Sequence, residues 1–142
     1  MLAAAVASIA GLRDSHRRQG FYLDARGVVA YLRAGECPTD AVLAPSDPGS
    51  SVPLLYYGLA ELRSQPLGSP GATRLVAERT HRLWLISVLP APAPSAPALL
   101  AYDQAGARSL GYRALSARIF PASAPLGVVL LAPVAHGDAS PR

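Results

Sequence analysis

The chain has 142 residues, 51% apolar and 15% charged, with a formal net charge of +4. That length suits one domain with one core, and a single cysteine excludes an internal disulfide or a cysteine-based metal centre. All 13 basic residues are arginine, and the absence of lysine excludes a phosphate loop ending in Gly-Lys.

Met1 to Leu12 is an apolar run followed by Arg13, Arg17 and Arg18. It is shorter than the roughly 20 residues a membrane-crossing helix needs. No positive residue precedes it, as a signal peptide requires. It reads as the end of a membrane helix or as an Ala-rich helix packed on the domain. The arginines suit lipid headgroups or a helix C-terminus. Residues 1–20 are therefore set apart as an apolar and basic segment, with Arg13, Arg17 and Arg18 as membrane-proximal candidates.

The α/β body is expected over residues 21–134. From Asp24 to Ala34, Ala25, Val28, Val29 and Leu32 recur on one helical face. Asp24 favours the helix start, Gly35 stops it and Pro38 prevents resumption. Cys37 reads as a small filler in that turn, and Asp40 as its closing side chain. Ala41 to Ala44 is short and apolar, which predicts a buried strand.

Pro45 to Pro53 is rich in proline and serine and reads as a loop at the carboxyl end of that strand. In open α/β sheets this end tends to hold ligands. Leu54 to Arg63 reads as a helix carrying Tyr56 and Tyr57. Gln65 to Ala72 reads as a loop, and Arg74 to Glu78 as a strand. Arg82 to Leu89, RLWLISVL, predicts a central strand with Trp84 in the core.

Pro90 to Pro97 is a Pro/Ala stretch that cannot form a strand interior. Ala98 to Ala105 reads as a helix. Ser109 to Phe120 and Leu126 to Ala132 read as strands of an antiparallel hairpin. Residues 135–142 read as a disordered tail. The expected fold class is α/β: a small, mixed, mostly parallel sheet with flanking helices and a C-terminal antiparallel hairpin.

No catalytic constellation stands out. His16, His81 and His136 are isolated, so no metal site is called and no cofactor is implied. There is no nucleophile elbow and no Gly-x-Gly-x-x-Gly. No basic stripe interleaved with aromatics speaks for nucleic acid. Asp24, Asp40 and Asp47 are carboxylates near the expected functional edge, with Asp24 and Asp47 as ligand candidates. Tyr56 and Tyr57 have the chemistry to line a sugar or lipid-phosphate groove. These four are the candidate ligand residues.

The order of landmarks resembles the soluble C-terminal domain of polytopic bacterial membrane glycosyltransferases that use polyprenyl-phosphate sugars (the GT-C type). Asp24, Arg26, Tyr31 and Leu32 resemble its D-x-R-x-x-x-x-Y-L helix. Pro38, Asp40, Val42 and Leu43 resemble its P-x-D-x-V-L turn and strand. Tyr56-Tyr57 resemble its tyrosine pair, and Arg82, Trp84 and Leu85 its R-x-W-L strand. Gly111 to Leu131 resembles its final hairpin.

The resemblance implies an accessory, non-catalytic, extracytoplasmic domain, either a fragment or a standalone relative. Its expected place is at a membrane surface or against a membrane-embedded bundle, near the acceptor entrance. Contact with a polyprenyl-phosphate sugar or an acceptor follows from the same likeness. The acidic residues that such families carry on an early loop have no counterpart here. The alternative is an independent small α/β ligand-binding domain with its site at Pro45 to Pro53.

Overall fold

The computed structural model describes residues 23–135. The segment 1–20, with Arg13, Arg17 and Arg18, lies outside the described residues. So does the expected tail beyond Ala135.

Asp24 begins the first element among the described residues. Its Oδ1 accepts the Gly27 N–H at 2.9 Å, which caps helix α1 (Ala25–Gly35). Ala25, Val28, Val29 and Leu32 are buried, the face that the periodicity predicts. After α1 the chain turns through Cys37 and Asp40 into strand β1 (Ala41–Ala44), buried throughout.

The following segment differs from expectation. The Pro45 to Pro53 stretch is not all loop. Asp47 caps helix α2 (Pro48–Tyr56), and Pro48 occupies its first turn, where a missing N–H costs nothing. Pro53 lies inside this short helix. The helix expected to run to Arg63 ends at Tyr56, because Gly58 takes the left-handed conformation at φ 105°. A 3-10 turn follows at Leu59–Glu61. A short strand, β2 (Ser64–Pro66), then stands where a loop was expected.

Arg74 to Glu78 is not a strand. It is the end of helix α3 (Pro70–Glu78), whose cap Ser69 accepts the Ala72 N–H at 3.1 Å. Ala72, Leu75 and Val76 fall at i, i+3 and i+4 and pack inward. The Ser-Pro start, not the β-branched content, decides the element. Strand β3 (Leu83–Val88) follows.

Ser95 caps helix α4 (Ala96–Ser109), which passes through Gly106 and so delays the next strand. The chain turns at Gly111, where φ is 80°. Strands β4 (Tyr112–Phe120) and β5 (Leu126–Pro133) complete the hairpin.

The five strands form one sheet in the order β2-β1-β3-β5-β4. β1 pairs parallel with β2 and β3, while β5 pairs antiparallel with β3 and β4. Four strands therefore point one way and β5 alone runs against them. The expected mixed α/β sheet and C-terminal hairpin are present, and β3 is central.

Each sheet face carries its own core. On one side Val42, Trp84, Ile86 and Val128 pack against Val28, Leu32 and Leu54 of α1 and α2. On the other, Leu43, Leu83 and Val129 pack against Ala72, Leu99 and Ala107 of α3 and α4. This gives a three-layer α/β/α sandwich. At Gly127 a Cβ would come within 2.6 Å of Leu99 Cδ2, so a glycine lets α4 lie close on β5.

Candidate functional site

The densest polar arrangement sits at the amino-terminal ends of β1 and β3. Asp40 is buried just before β1, its side chain 1% exposed. Its Oδ2 accepts the Cys37 N–H at 2.9 Å, Arg82 Nη2 at 2.7 Å and the Trp84 Nε1–H at 2.9 Å. Its Oδ1 accepts Arg82 Nε at 3.0 Å. The Asp40–Arg82 pair is thus bidentate, the strong form of a carboxylate–guanidinium contact.

Arg82 Nη2 also lies 3.0 Å from Cys37 Sγ. Its guanidinium reaches the surface, the side chain being 34% exposed. Burial alone would raise the Asp40 pKa. The hydrogen bonds from Arg82, the Cys37 N–H and Trp84 outweigh it and hold the carboxyl below its ordinary value. The same bonds with Asp40 raise Arg82.

An aromatic cluster lies beside this network. Tyr31 of α1 meets Trp84 edge-on at 5.8 Å and Phe120 at 5.6 Å. Arg118 stands 4.8 Å above the Tyr31 ring. Together these contacts tie α1 to β3 and β4.

The four candidate ligand residues lie elsewhere. Asp24 spends Oδ1 on its own cap. Asp47 Oδ2 accepts both the Ser50 N–H at 3.0 Å and the Ser50 hydroxyl at 2.9 Å. No hydrogen bond joins Asp24 to Asp47 among the described residues. Tyr56 and Tyr57 meet edge-on at 5.0 Å. Tyr57 packs against the α1/α2 core, whereas Tyr56 is 48% exposed.

The topological switch point of the sheet lies at the opposite edge. β1 leads by way of α2 to β2 on one side, and β3 leads by way of α4 towards β4 on the other. The carboxyl ends of β1 and β3 therefore flank the point where the strand order reverses, the usual binding crevice of open α/β sheets. Asp47 and Ser95, the caps of α2 and α4, follow these two strand ends.

The described residues also line open surface depressions. One, of about 560 Å³, is lined by Glu78, Arg79, Pro133 and Val134. Another, of about 470 Å³, lies over Leu43 and is lined by Leu67, Ala72, Val76 and Leu110. Among the described residues no group of three or more His, Cys, Asp or Glu is placed to hold a metal ion. Among them, too, no helix is long and apolar enough to cross a membrane.

Sequence reasoning gave Asp40 the turn but not its ion pair with Arg82 or its bond to Trp84. The signal was present: an acid before one buried strand, and Arg-x-Trp opening the next. No protein family, characterised protein or solved structure matches the chain.

Proposed function

We propose that this chain is an accessory, non-catalytic domain of a membrane glycosyltransferase-like protein, lying on the extracytoplasmic face beside the membrane bundle. One observation carries the reading. Two landmarks of the resemblance, P-x-D-x-V-L and R-x-W-L, meet in one hydrogen-bonded cluster, Asp40 with Arg82 and Trp84 at 2.7–3.0 Å. Their separation is 42 and 44 residues in sequence.

Three residues of the helix landmark also have framework roles, whereas Arg26 and Tyr56 are exposed. Asp24 caps α1, Leu32 is buried, and Tyr31 packs on Trp84. Asp24, Tyr31, Leu32, Asp40, Arg82 and Trp84 therefore build the scaffold, as expected of a domain that shapes an entrance and leaves chemistry to its partner. The test is a transfer assay with the purified chain, a polyprenyl-phosphate sugar and a peptide or glycan acceptor. No transfer is expected. Reproducible turnover lost in Asp24→Asn or Asp47→Asn would overturn the reading.

A second reading, an independent ligand-binding domain, draws on the switch point between β1 and β3. Amide chemical shifts recorded while sugar phosphates are added separate the two. Saturable shifts confined to Ser46, Asp47 and Ser95 would favour the second reading.

A further inference from the structure

We propose that the outer edge of β4 takes up an extended acidic peptide segment by strand addition, with the carboxylates of that segment at i and i+4. β4 is the last strand in the sheet order, so one of its edges has no strand partner among the described residues. An open edge presents unpaired N–H and C=O groups to any extended chain. At the other edge β2 is only three residues long, against nine for β4.

The strand has the sequence YRALSARIF, with two arginines and no acid. Both Arg113 and Arg118 are exposed, and neither has a carboxylate partner among the described residues. Leu115 between them is 42% exposed.

A bulge decides the geometry. The register passes from Ala114 opposite Leu131 to Ser116 opposite Leu130, leaving Leu115 as the extra residue. Residues five apart on a regular strand face opposite sides. Here Arg113 stands opposite Ala132 and Arg118 opposite Val128, so a regular strand counts them as four apart. Both arginines therefore lie on the α1/α2 side of the sheet. Arg118 stacks there over Tyr31 and Phe120, at 4.8 and 5.1 Å.

A regular strand added at this edge would meet them with side chains at i and i+4, about 13 Å apart. The bulge also limits the ladder. Gln104 Oε1 accepts the Ala114 N–H at 2.8 Å, so that group is already bonded. Main-chain pairing is left to Ser116–Phe120, with Arg113 reaching the far end of the segment.

Charge selects the occupant. A second copy of β4 would bring four arginines together with no acid between them, and like charges across strands repel. An acidic segment neutralises both.

The experiment measures binding of fluorescent Thr/Val-rich peptides to the full chain by anisotropy. One peptide carries glutamates at i and i+4, a second at i and i+3, and a third repeats the first with alternate amides N-methylated. The i,i+3 spacing can satisfy only one of the two arginines, so the first should bind roughly two- to fivefold tighter than the second, the worth of one exposed ion pair. N-methylation should abolish the binding. Arg113→Glu, at an exposed position away from the aromatic cluster, should weaken the first peptide and recover affinity for one with lysine at the matching position. Equal binding of the first two peptides, indifference to N-methylation, or no binding at all would overturn the proposal.

Discussion

Trp84 donates its indole N–H to Asp40 Oδ2 at 2.9 Å, joining the start of the central strand to the turn before its neighbour. Both side chains are buried. The contact combines a packing role with a polar one, and two substitutions separate them. Trp84→Ala removes a large core side chain and a donor, and should destabilise by roughly 3–5 kcal/mol. Trp84→Phe keeps most of the packing and should cost about 1–3 kcal/mol through the lost bond to a charged acceptor. Urea unfolding measures both. A loss below about 1 kcal/mol for Trp84→Ala would mean that the strand does not anchor the core.

Asp40 makes acid stability depend on the same cluster. Its folded-state pKa lies below the ordinary carboxylate value. A depressed carboxyl contributes stability that is fully present above its unfolded value and is lost as pH falls through the folded one. Destabilisation should therefore begin below about pH 4. Asp40→Asn should lower stability at neutral pH and flatten this acid limb. Melting temperatures of both chains from pH 2 to pH 7 check the sign; parallel curves would remove Asp40 from the acid transition.

Asp103 should act in the opposite direction. Its Oδ2 is buried without a hydrogen-bond partner among the described residues, and burial raises its pKa above 3.8. The ionised form is therefore disfavoured in the folded state. Stability should fall as pH rises from the unfolded value through the folded one, and the penalty is complete above it. Asp103→Asn should raise the melting temperature at pH 7 and change it little at pH 3. A fall at pH 7 would show that the carboxylate has a stabilising partner.

Much of this fold was legible because its periodic and capping signals agree. The α1 face at Ala25, Val28, Val29 and Leu32 and the apolar run of β3 are strong local patterns. The errors came where proline served as a helix starter. Pro48 and Pro70 each follow a capping residue, Asp47 and Ser69, and open helices that composition suggested were loop or strand. β2 was missed because three residues, Ser64–Pro66, carry no periodicity; pairing with β1 makes them a strand.

The site was less legible than the fold. Asp24 and Asp47 are acids near the ends of apolar segments, and the structure uses both as helix caps. Arg113 and Arg118 are five apart, a spacing that a regular strand puts on opposite faces. The bulge at Leu115 depends on pairing with β5 and has no signature in the strand itself.

The central claim is that this domain is held at a membrane, and vesicle co-sedimentation tests it most directly. The full chain and a chain beginning at Gly20 are compared on anionic vesicles containing polyprenyl phosphate. In sequence, Met1 to Leu12 is apolar and is followed by Arg13, Arg17 and Arg18, a composition that suits binding at an anionic bilayer surface. The full chain should sediment more strongly, with salt reducing the difference. Equal recruitment of both chains at low salt would contradict it.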